Sequence, residues 1–284
     1  MSMIKNYLVS AWRNMMRSKL YTVINVFCLT VGISSAILTA LYLNHELSYD
    51  RHHEHQDRIY RIDGVYHVGG NTSHMAITAF ALGPALKLEY SEIQEYVRIS
   101  PIPDMLIQIE DREFLEQGLA FADSTIFDVF THEFVYGRAM GSLSEPNTAV
   151  LTRSLADKFF GDVDPTGSTF DANGQTFLVK AVIEDLPDNS HIRFDGLLSI
   201  RSGGNQDAIY SVEPRLFWSI SMNYTYVLMH EGTRVESVLS NMDNFMEKYI
   251  EPMGSVIGAK AEFRATPLRD THFTRILMAA DTGN

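Results

Sequence analysis

Four histidines lie close together within residues 45–55, and three acidic residues are interleaved with them. The histidines are His45, His52, His53 and His55, and the acidic residues are Glu46, Asp50 and Glu54. Neutral imidazoles at close spacing can bind zinc or copper, and such a group can also form a surface patch that responds to protonation. A polar stretch of this kind more often carries solvated side chains, so the spacing alone establishes neither use.

Other signatures of catalysis or cofactor binding are weak in this chain. It has no glycine-rich phosphate loop with a lysine and no Gly-x-Ser-x-Gly elbow. The segment that begins at Asp162 starts like a calcium loop, but Thr166 stands at its fifth position and Asn173 replaces the bidentate glutamate at its twelfth. Ser190 and His191 are adjacent without a nucleophile motif around them. We therefore predict no catalytic residue, no cofactor and no metal, and a turn between strands at the aspartates.

A long apolar run lies near the N-terminus. It extends from Tyr21 to Leu43, 23 residues without a charged side chain. As a helix it measures roughly 34 Å, enough to cross a hydrocarbon core of about 30 Å. A cleavable signal peptide would have a shorter apolar region and a shorter basic leader. We predict a retained transmembrane helix over residues 21–43.

Charge is distributed unevenly around this run. Residues 1–43 contain four basic side chains and no acidic one, whereas residues 44–284 contain 35 acidic and 19 basic side chains, a net charge of −16. The positive-inside rule therefore predicts a cytoplasmic N-terminus and an acidic region outside the cytoplasm. An acidic region also argues against nucleic-acid binding, which needs a basic patch. The single cysteine, Cys28, allows no intrachain disulfide.

Two further patterns concern the membrane. Small residues recur every fourth position at Gly32, Ala36 and Ala40, where another membrane helix could approach closely. Residues 1–20 have one apolar face and carry basic side chains elsewhere, which predicts a cytoplasmic interfacial helix against the lipid of the inner leaflet. The apolar positions are Ile4, Leu8, Ala11, Trp12, Met15 and Met16.

The acidic region has the pattern of an α+β domain. Alternating residues predict a strand over 59–68 and a return to strand over 96–110, while 76–90 looks helical apart from Gly83-Pro84. The same strand–helix–strand order recurs near the C-terminus. There, residues 223–230 and 261–268 have strand patterns, and an amphipathic pattern predicts a helix over Val235–Tyr249 between them.

A strand-rich stretch separates these two units. It spans residues 111–195 and contains turn signals at Asp164-Pro-Thr-Gly and Asn173-Gly174. We predict an α+β fold in which residues 44–110 and 196–284 form one porter-like lobe and residues 111–195 form an inserted strand-rich lobe.

Five stretches, in this order, resemble one known family. The first runs from Trp12 through the apolar run to DRIYRI, and the second is FADSTIFDVFTHEFVYG, Phe121–Gly137. The others are AVLTRSLADKFFGDVDPTGSTF, FLVKAVIEDLPDNSHIRFD and PLRDTHF. Their order is similar to that in ABC-transporter permeases of the MacB and FtsX-like superfamily. The matching positions are Phe121, Asp123, Phe127, Phe130, Gly137, Phe159, Phe160, Gly161, Gly167, Pro187, Ser190, His191 and His272.

The resemblance implies a permease subunit in the bacterial inner membrane. Such a permease has four membrane helices and a large periplasmic domain after the first, forms a dimer, and transmits motion from a cytoplasmic ATPase, with an adaptor or outer-membrane component as a further partner. The matching phenylalanines are then core anchors and the glycines turns. We expect the chain to be the N-terminal portion of such a permease or a truncated form, because the sequence stops at Asn284, where a second membrane helix is expected. A single-pass membrane sensor and a membrane-tethered hydrolase are the alternatives.

Overall fold

The structure is a computed structural model that describes residues 2–203, 210–219 and 223–273. Parts of the predicted segments 1–20 and 196–284 therefore lie outside the described residues. The chain divides into two compact units, Met1–Tyr49 and Asp50–Asn284. The second unit is called the body below, and each unit is described by itself.

The first unit consists of two helices. Helix α1 spans Ser2–Arg17 and helix α2 spans Lys19–Glu46. Helix α2 is longer than the predicted 21–43, and none of its residues is buried by the rest of the protein. A core helix of a soluble protein would bury its apolar face, which α2 does not. Among the described residues, α2 is the one helix long and apolar enough to cross a membrane.

The helices of the body are short and its strands are numerous. The helices are α3 (Leu82–Glu89), α4 (Ile126–Val129), α5 (Arg153–Phe160), α6 (Val235–Leu239), α7 (Asp243–Phe245) and α8 (Glu251–Ile257). The strands are β1 (Ile59–Val68), β2 (Asn71–Met75), β3 (Ile93–Pro101), β4 (Met105–Ile109), β5 (Arg112–Glu116), β6 (Leu119–Ala122), β7 (Phe134–Tyr136), β8 (Thr148–Thr152), β9 (Thr169–Ala172), β10 (Gln175–Ile183), β11 (Gly196–Ser199), β12 (Tyr224–Met229) and β13 (Ala259–Pro267). The predicted α+β class is confirmed.

The described strands form one mixed sheet. Its order is β13-β1-β12-β3-β6-β11-β8-β10-β9-β4-β5, with β2 beside β1 and β7 beside β10. Most pairs are antiparallel, but β10 pairs with β8 and β11 pairs with β6 in parallel. Strand β1, which comes first in the sequence, therefore lies between β12 and β13, which come last among the described strands.

Three apolar clusters cover successive parts of this sheet. The first packs α3, α6 and α7, together with Tyr249 and Ile250, against β1 and β12, the second lies around α4, β3 and β6, and the third packs α5 against β8–β10. Each helix covers one part of the sheet, as expected for an α+β domain.

The structure corrects the predicted helix over 76–90. The helix begins only at Leu82, because the preceding residues are tied to the sheet: the Thr78 N–H donates to the Asn223 carbonyl at 2.8 Å, and its hydroxyl lies 2.8 Å from that of Thr225. Pro84 does not interrupt the helix, since it lies in the first turn, where a backbone N–H has no intrahelical acceptor.

The structure also breaks the predicted helix over Val235–Tyr249. Helix α6 ends at Leu239, and after α7 a π-helical turn, Met246–Ile250, leads into α8. The predicted apolar face nevertheless packs against the first cluster. The predicted Asn173-Gly174 turn is confirmed: both residues have positive φ, +48° and +82°, as the two-residue turn between β9 and β10 requires.

The division into two lobes stays a prediction. The hairpin of β4 and β5 crosses the predicted boundary at residue 110, and β11, which begins at residue 196, lies between β6 and β8. A single sheet continues through both predicted lobes.

Candidate functional site

Asp50, the first residue of the body, is held in an uncommon conformation. Its φ of +58° lies in the left-handed region, which Asp and Asn adopt more readily than most residues. Its N–H donates to the carbonyl of Asn189 at 2.9 Å, and its side chain is fully buried. The chain is therefore anchored only a few residues after α2 ends.

The Asp50 carboxylate contacts His191 through both of its oxygens. The His191 N–H donates to Oδ1 at 3.1 Å, and His191 Nδ1 lies 2.8 Å from Oδ2. The other ring nitrogen, Nε2, lies 2.9 Å from the hydroxyl of Tyr226 on β12. A chain of three side chains thus connects the segment after α2 to the loop before β11 and to a central strand.

Electrostatics favour a charged Asp50. Burial opposes ionisation of this carboxyl, but the contacts and charge of His191 outweigh burial and hold the pKa of Asp50 below its usual value. A buried carboxylate needs such partners, since an unpaired buried charge is strongly unfavourable.

Ser190 and His191 are not arranged as a nucleophile and its base. The Ser190 hydroxyl donates to the carbonyl of Ile192 at 2.9 Å, and both ring nitrogens of His191 are in contact with Asp50 and Tyr226. Neither side chain of this pair is arranged to activate the other.

A second group of polar side chains, the histidine cluster, comprises His52, His53 and His132. The ring centroids of His52 and His53 are 4.0 Å apart, and those of His53 and His132 are 6.3 Å apart. Aromatic rings of Phe130, Phe127 and Phe194 pack around the cluster at 5.0 to 5.8 Å. His53 is buried, and His52 and His132 are half-buried, so apolar surface shields most of this polar group from water.

The environment of His53 fixes its tautomer. The Thr131 N–H donates to His53 Nδ1 at 3.2 Å, so this nitrogen carries no proton. The Thr131 hydroxyl in turn accepts from the Glu54 N–H at 2.9 Å. His53 therefore holds the segment after α2 against the loop after α4 through an acceptor that only neutral imidazole provides.

The surroundings keep the cluster neutral. Burial, followed by the charges of His52 and His132, lowers the pKa of His53 to about 3. Burial and the charge of His52 lower the pKa of His132 to about 4, and burial also lowers the pKa of His52. An ordinary histidine has a pKa near 6.5, so all three favour the uncharged form.

The four histidines of residues 45–55 belong to different elements of the structure. His45 lies on α2, and His55 Nδ1 lies 3.0 Å from the guanidinium of Arg58. His52 and His53 remain together and are joined by His132 instead, which the sequence did not indicate. Within residues 2–203, 210–219 and 223–273, no group of three or more His, Cys, Asp or Glu side chains is arranged to hold a metal ion.

A buried ion pair joins β3 to the residue after β6. The guanidinium of Arg98 makes two hydrogen bonds of 2.8 Å to the two carboxylate oxygens of Asp123, and the Arg98 N–H adds a third at 2.9 Å. A further guanidinium N–H donates to the carbonyl of Phe80 at 2.8 Å. Such bidentate geometry is the strongest form of protein ion pair.

Comparison with known proteins decides the family. The sequence model of the MacB-like periplasmic core domain matches residues 22–245. The chain belongs to this family. The family assignment and the apolar helix α2 fit a membrane protein with a periplasmic domain.

Three solved structures are similar to this chain. A domain of a protein assigned as a permease from Porphyromonas gingivalis is 20% identical, with 76% of this chain and 92% of that chain covered and a TM-score of 0.66. The periplasmic region of MacB from Actinobacillus actinomycetemcomitans (16%, 75% and 90%, TM-score 0.49) and the extracellular domain of the ABC-type transporter YknZ from Gram-positive bacteria (16%, 72% and 99%, TM-score 0.45) are also similar. The first likeness shows the fold. No curated protein matches the chain.

The aromatic residues matched to the MacB-like family lie in or beside the apolar clusters. Phe130 and Phe159 are fully buried, and Phe121, Phe127 and Phe160 pack at the cluster margins. This placement agrees with the anchoring role that the resemblance implies, which remains a prediction for each residue.

The matched glycines lie at turns. Gly137 has a φ of +75°, and an added Cβ would approach the Lys180 carbonyl oxygen to 2.5 Å. Gly161 ends α5 with a φ of +78°, and the Gly167 N–H donates to the Val179 carbonyl at 2.9 Å. In the preceding turn, Asp164 accepts hydrogen bonds from the N–H and hydroxyl of Thr166, as expected for a turn rather than a calcium loop.

The remaining matched residues lie in the loop at residues 187–191 and near the end of the described chain. The carbonyl of Pro187 accepts from the Ser190 N–H at 3.0 Å, which shapes the loop that presents His191. His272 is exposed in a 3-10 turn, Leu268–Phe273. Sequence reasoning missed the partners of these motifs, Arg98 and Tyr226, because no local pattern indicates which distant strand supplies them.

We expect Asp50→Asn to destabilise the body by about 1 to 2 kcal/mol, because it removes a charged acceptor from His191. Asparagine tolerates the left-handed φ, so the change adds little backbone strain. Urea unfolding of the full chain in detergent measures the effect. The exposed Asp188→Asn is the matched control, and equal stability of the two variants would contradict this role of Asp50.

Proposed function

We propose that this chain is the N-terminal portion of an ABC-transporter permease of the mechanotransmission type. It couples ATP hydrolysis on a separate cytoplasmic subunit to motion of the periplasmic body, for export or release of a substrate. The chain lies in the bacterial inner membrane with its N-terminus in the cytoplasm. Membership of the MacB-like family and the unburied apolar helix α2 support this proposal.

The anchoring of Asp50 carries the proposal. Three residues, 47–49, separate α2 from this buried carboxylate. Because Asp50 is bonded to the loop at residues 189–191 and, through His191, to β12, a displacement of the segment after α2 must displace the body or break these contacts. Short, buried polar ties of this kind suit the transmission of motion.

The test is reconstitution of the full gene product with the ABC ATPase encoded beside it. Hydrogen exchange in residues 50–56 should differ between the ATP-bound and ADP-bound complexes, and Asp50→Asn should reduce this difference while Asp188→Asn leaves it intact. A single-pass sensor or interaction module would form no complex with an ATPase and show no nucleotide effect. That result would reject the permease role.

The small-residue positions of α2 are proposed as the contact between membrane helices in a permease dimer or between helices of one permease. An added Cβ at Gly32 would have no heavy atom of the described residues within 4 Å, apart from the backbone of α2 itself. A loss of crosslinking caused by a larger side chain there would therefore point to a partner helix.

We expect Gly32→Leu to reduce crosslinking between membrane helices several-fold, because a bulky side chain prevents close backbone approach. Disulfide or photo-crosslinking of the full chain in membranes is the measurement. Ser34→Leu, on the opposite face of α2, should leave the yield unchanged. Equal yields for both variants would remove Gly32 from the contact.

Helix α1 is proposed to lie on the cytoplasmic membrane surface. Its apolar side chains Leu8, Trp12 and Met16 are exposed, and no acidic residue occurs in the first 43 residues. A basic amphipathic helix of this composition favours anionic lipid. An adaptor or outer-membrane component would be a further, periplasmic partner.

A further inference from the structure

We propose that the histidine cluster, His52, His53 and His132, is an acid-sensitive latch that holds residues 50–56 against the rest of the body at neutral pH and releases them when it is protonated. This inference goes beyond the proposed function and requires no transport activity. It applies to the body wherever the solution around it becomes acidic.

The hydrogen bond at His53 supplies the switch. Neutral His53 accepts from the Thr131 N–H through Nδ1. A proton on Nδ1 would set two donors against each other at 3.2 Å, so this bond exists only in the uncharged state. The same loop residue accepts from the Glu54 N–H, so loss of the first bond weakens the second contact between the segment and the loop.

The surroundings of the cluster provide no hydrogen-bond acceptor for a protonated histidine in the part of the chain that the structure describes. The buried nitrogens His53 Nε2, His132 Nε2 and both ring nitrogens of His52 have no hydrogen-bond partner among the described residues. Phenylalanine rings cover His53 and His132. A charge in such surroundings is costly without a partner, so protonation favours a state in which the rings reach water.

The neighbouring titratable groups do not reverse this preference. Those that act on His53 are His52, His132, Asp50 and His191. Asp50 is the one carboxylate among them, and it is already in contact with His191, whose other ring nitrogen faces Tyr226. The histidines oppose one another's protonation.

The direction of the pH effect follows from linkage. The pKa values of about 3 for His53 and about 4 for His132 lie below the value near 6.5 expected once the rings are exposed. The open state therefore binds more protons, and the closed state loses stability as pH falls below 6.5. For each of these two histidines, a change from pH 7 to pH 5 should raise the open fraction about 20-fold.

Hydrogen exchange of the full chain in detergent micelles tests the latch. Exchange is measured at pH 7 and pH 5 in peptides that contain the amides of Glu54 and Thr131, and it is corrected for intrinsic rates with an unstructured peptide. We expect the corrected opening of both peptides to rise at least 20-fold at pH 5. Peptides from the central strand β8 should not change.

Three variants make the test specific. His53→Asn keeps an acceptor for the Thr131 N–H without titrating, and His132→Phe fills the aromatic surroundings; each should lose about 20-fold of the acid response. His74→Asn, an exposed histidine on β2, should respond like the wild type.

Two results would overturn the latch. The first is unchanged protection of the wild type between pH 7 and pH 5, and the second is a full acid response in His132→Phe. Should His53→Asn fail to fold, the wild type and His132→Phe still decide the outcome.

Discussion

Asp123→Ala is expected to destabilise the body by about 3 to 5 kcal/mol, because it leaves the guanidinium of Arg98 buried without its carboxylate. Arg98 is fully buried, and all three of its hydrogen bonds to Asp123 would be lost. Urea unfolding of the full chain in detergent, followed by tryptophan fluorescence, measures the change.

An exposed ion pair provides the matched control. Arg153 and Glu184 lie 3.1 Å apart, with side chains 44% and 45% exposed, and Glu184→Gln should cost less than about 1 kcal/mol. The double variant Arg98→Met with Asp123→Leu should recover much of the lost stability, since it removes both charges. If Asp123→Ala lowers the free energy of unfolding no more than Glu184→Gln does, then solvent reaches Arg98.

Phe159→Ala should be similarly damaging, at about 3 to 5 kcal/mol, because it removes a whole ring from a closed core. Phe159 is fully buried, and its ring contacts Phe114, Phe160 and Phe170 at centroid distances of 5.3 to 6.2 Å. The same unfolding measurement applies.

The neighbouring Phe160→Ala tests whether position or residue type matters. Phe160 packs at the edge of the same cluster and is only partly buried, so its loss should cost clearly less. If Phe159→Ala and Phe160→Ala lower the free energy of unfolding equally, then Phe159 is not more deeply buried in the core than Phe160.

The elements with a strong local pattern could be predicted from the sequence. The apolar run became α2, and alternation gave β1 and β12 with ends within one residue of the structure. The length of helix α3 was overestimated, because Thr78 is hydrogen-bonded to Asn223 and Thr225, about 145 residues later in the chain. Local propensity does not report such contacts.

The site was less predictable than the fold. The histidines of residues 45–55 were recognised as a group, but His132 and His191 come from distant loops, and burial lowers the pKa of His132. From the sequence, Asp50 was one of several acidic residues in a solvated stretch. Only the fold shows that it is buried and bonded to Asn189 and His191.

The position of β1 has a consequence for how the domain assembles. This strand is the first of the body to be synthesised, yet one flank pairs with β13 from Tyr60–Pro267 to Val68–Ala259. Contacts between residues roughly 200 positions apart form slowly, because a long loop must close first. The edge of β1 that pairs with β13 therefore stays unpaired until β13 has been synthesised, and during that interval it is exposed to aggregation.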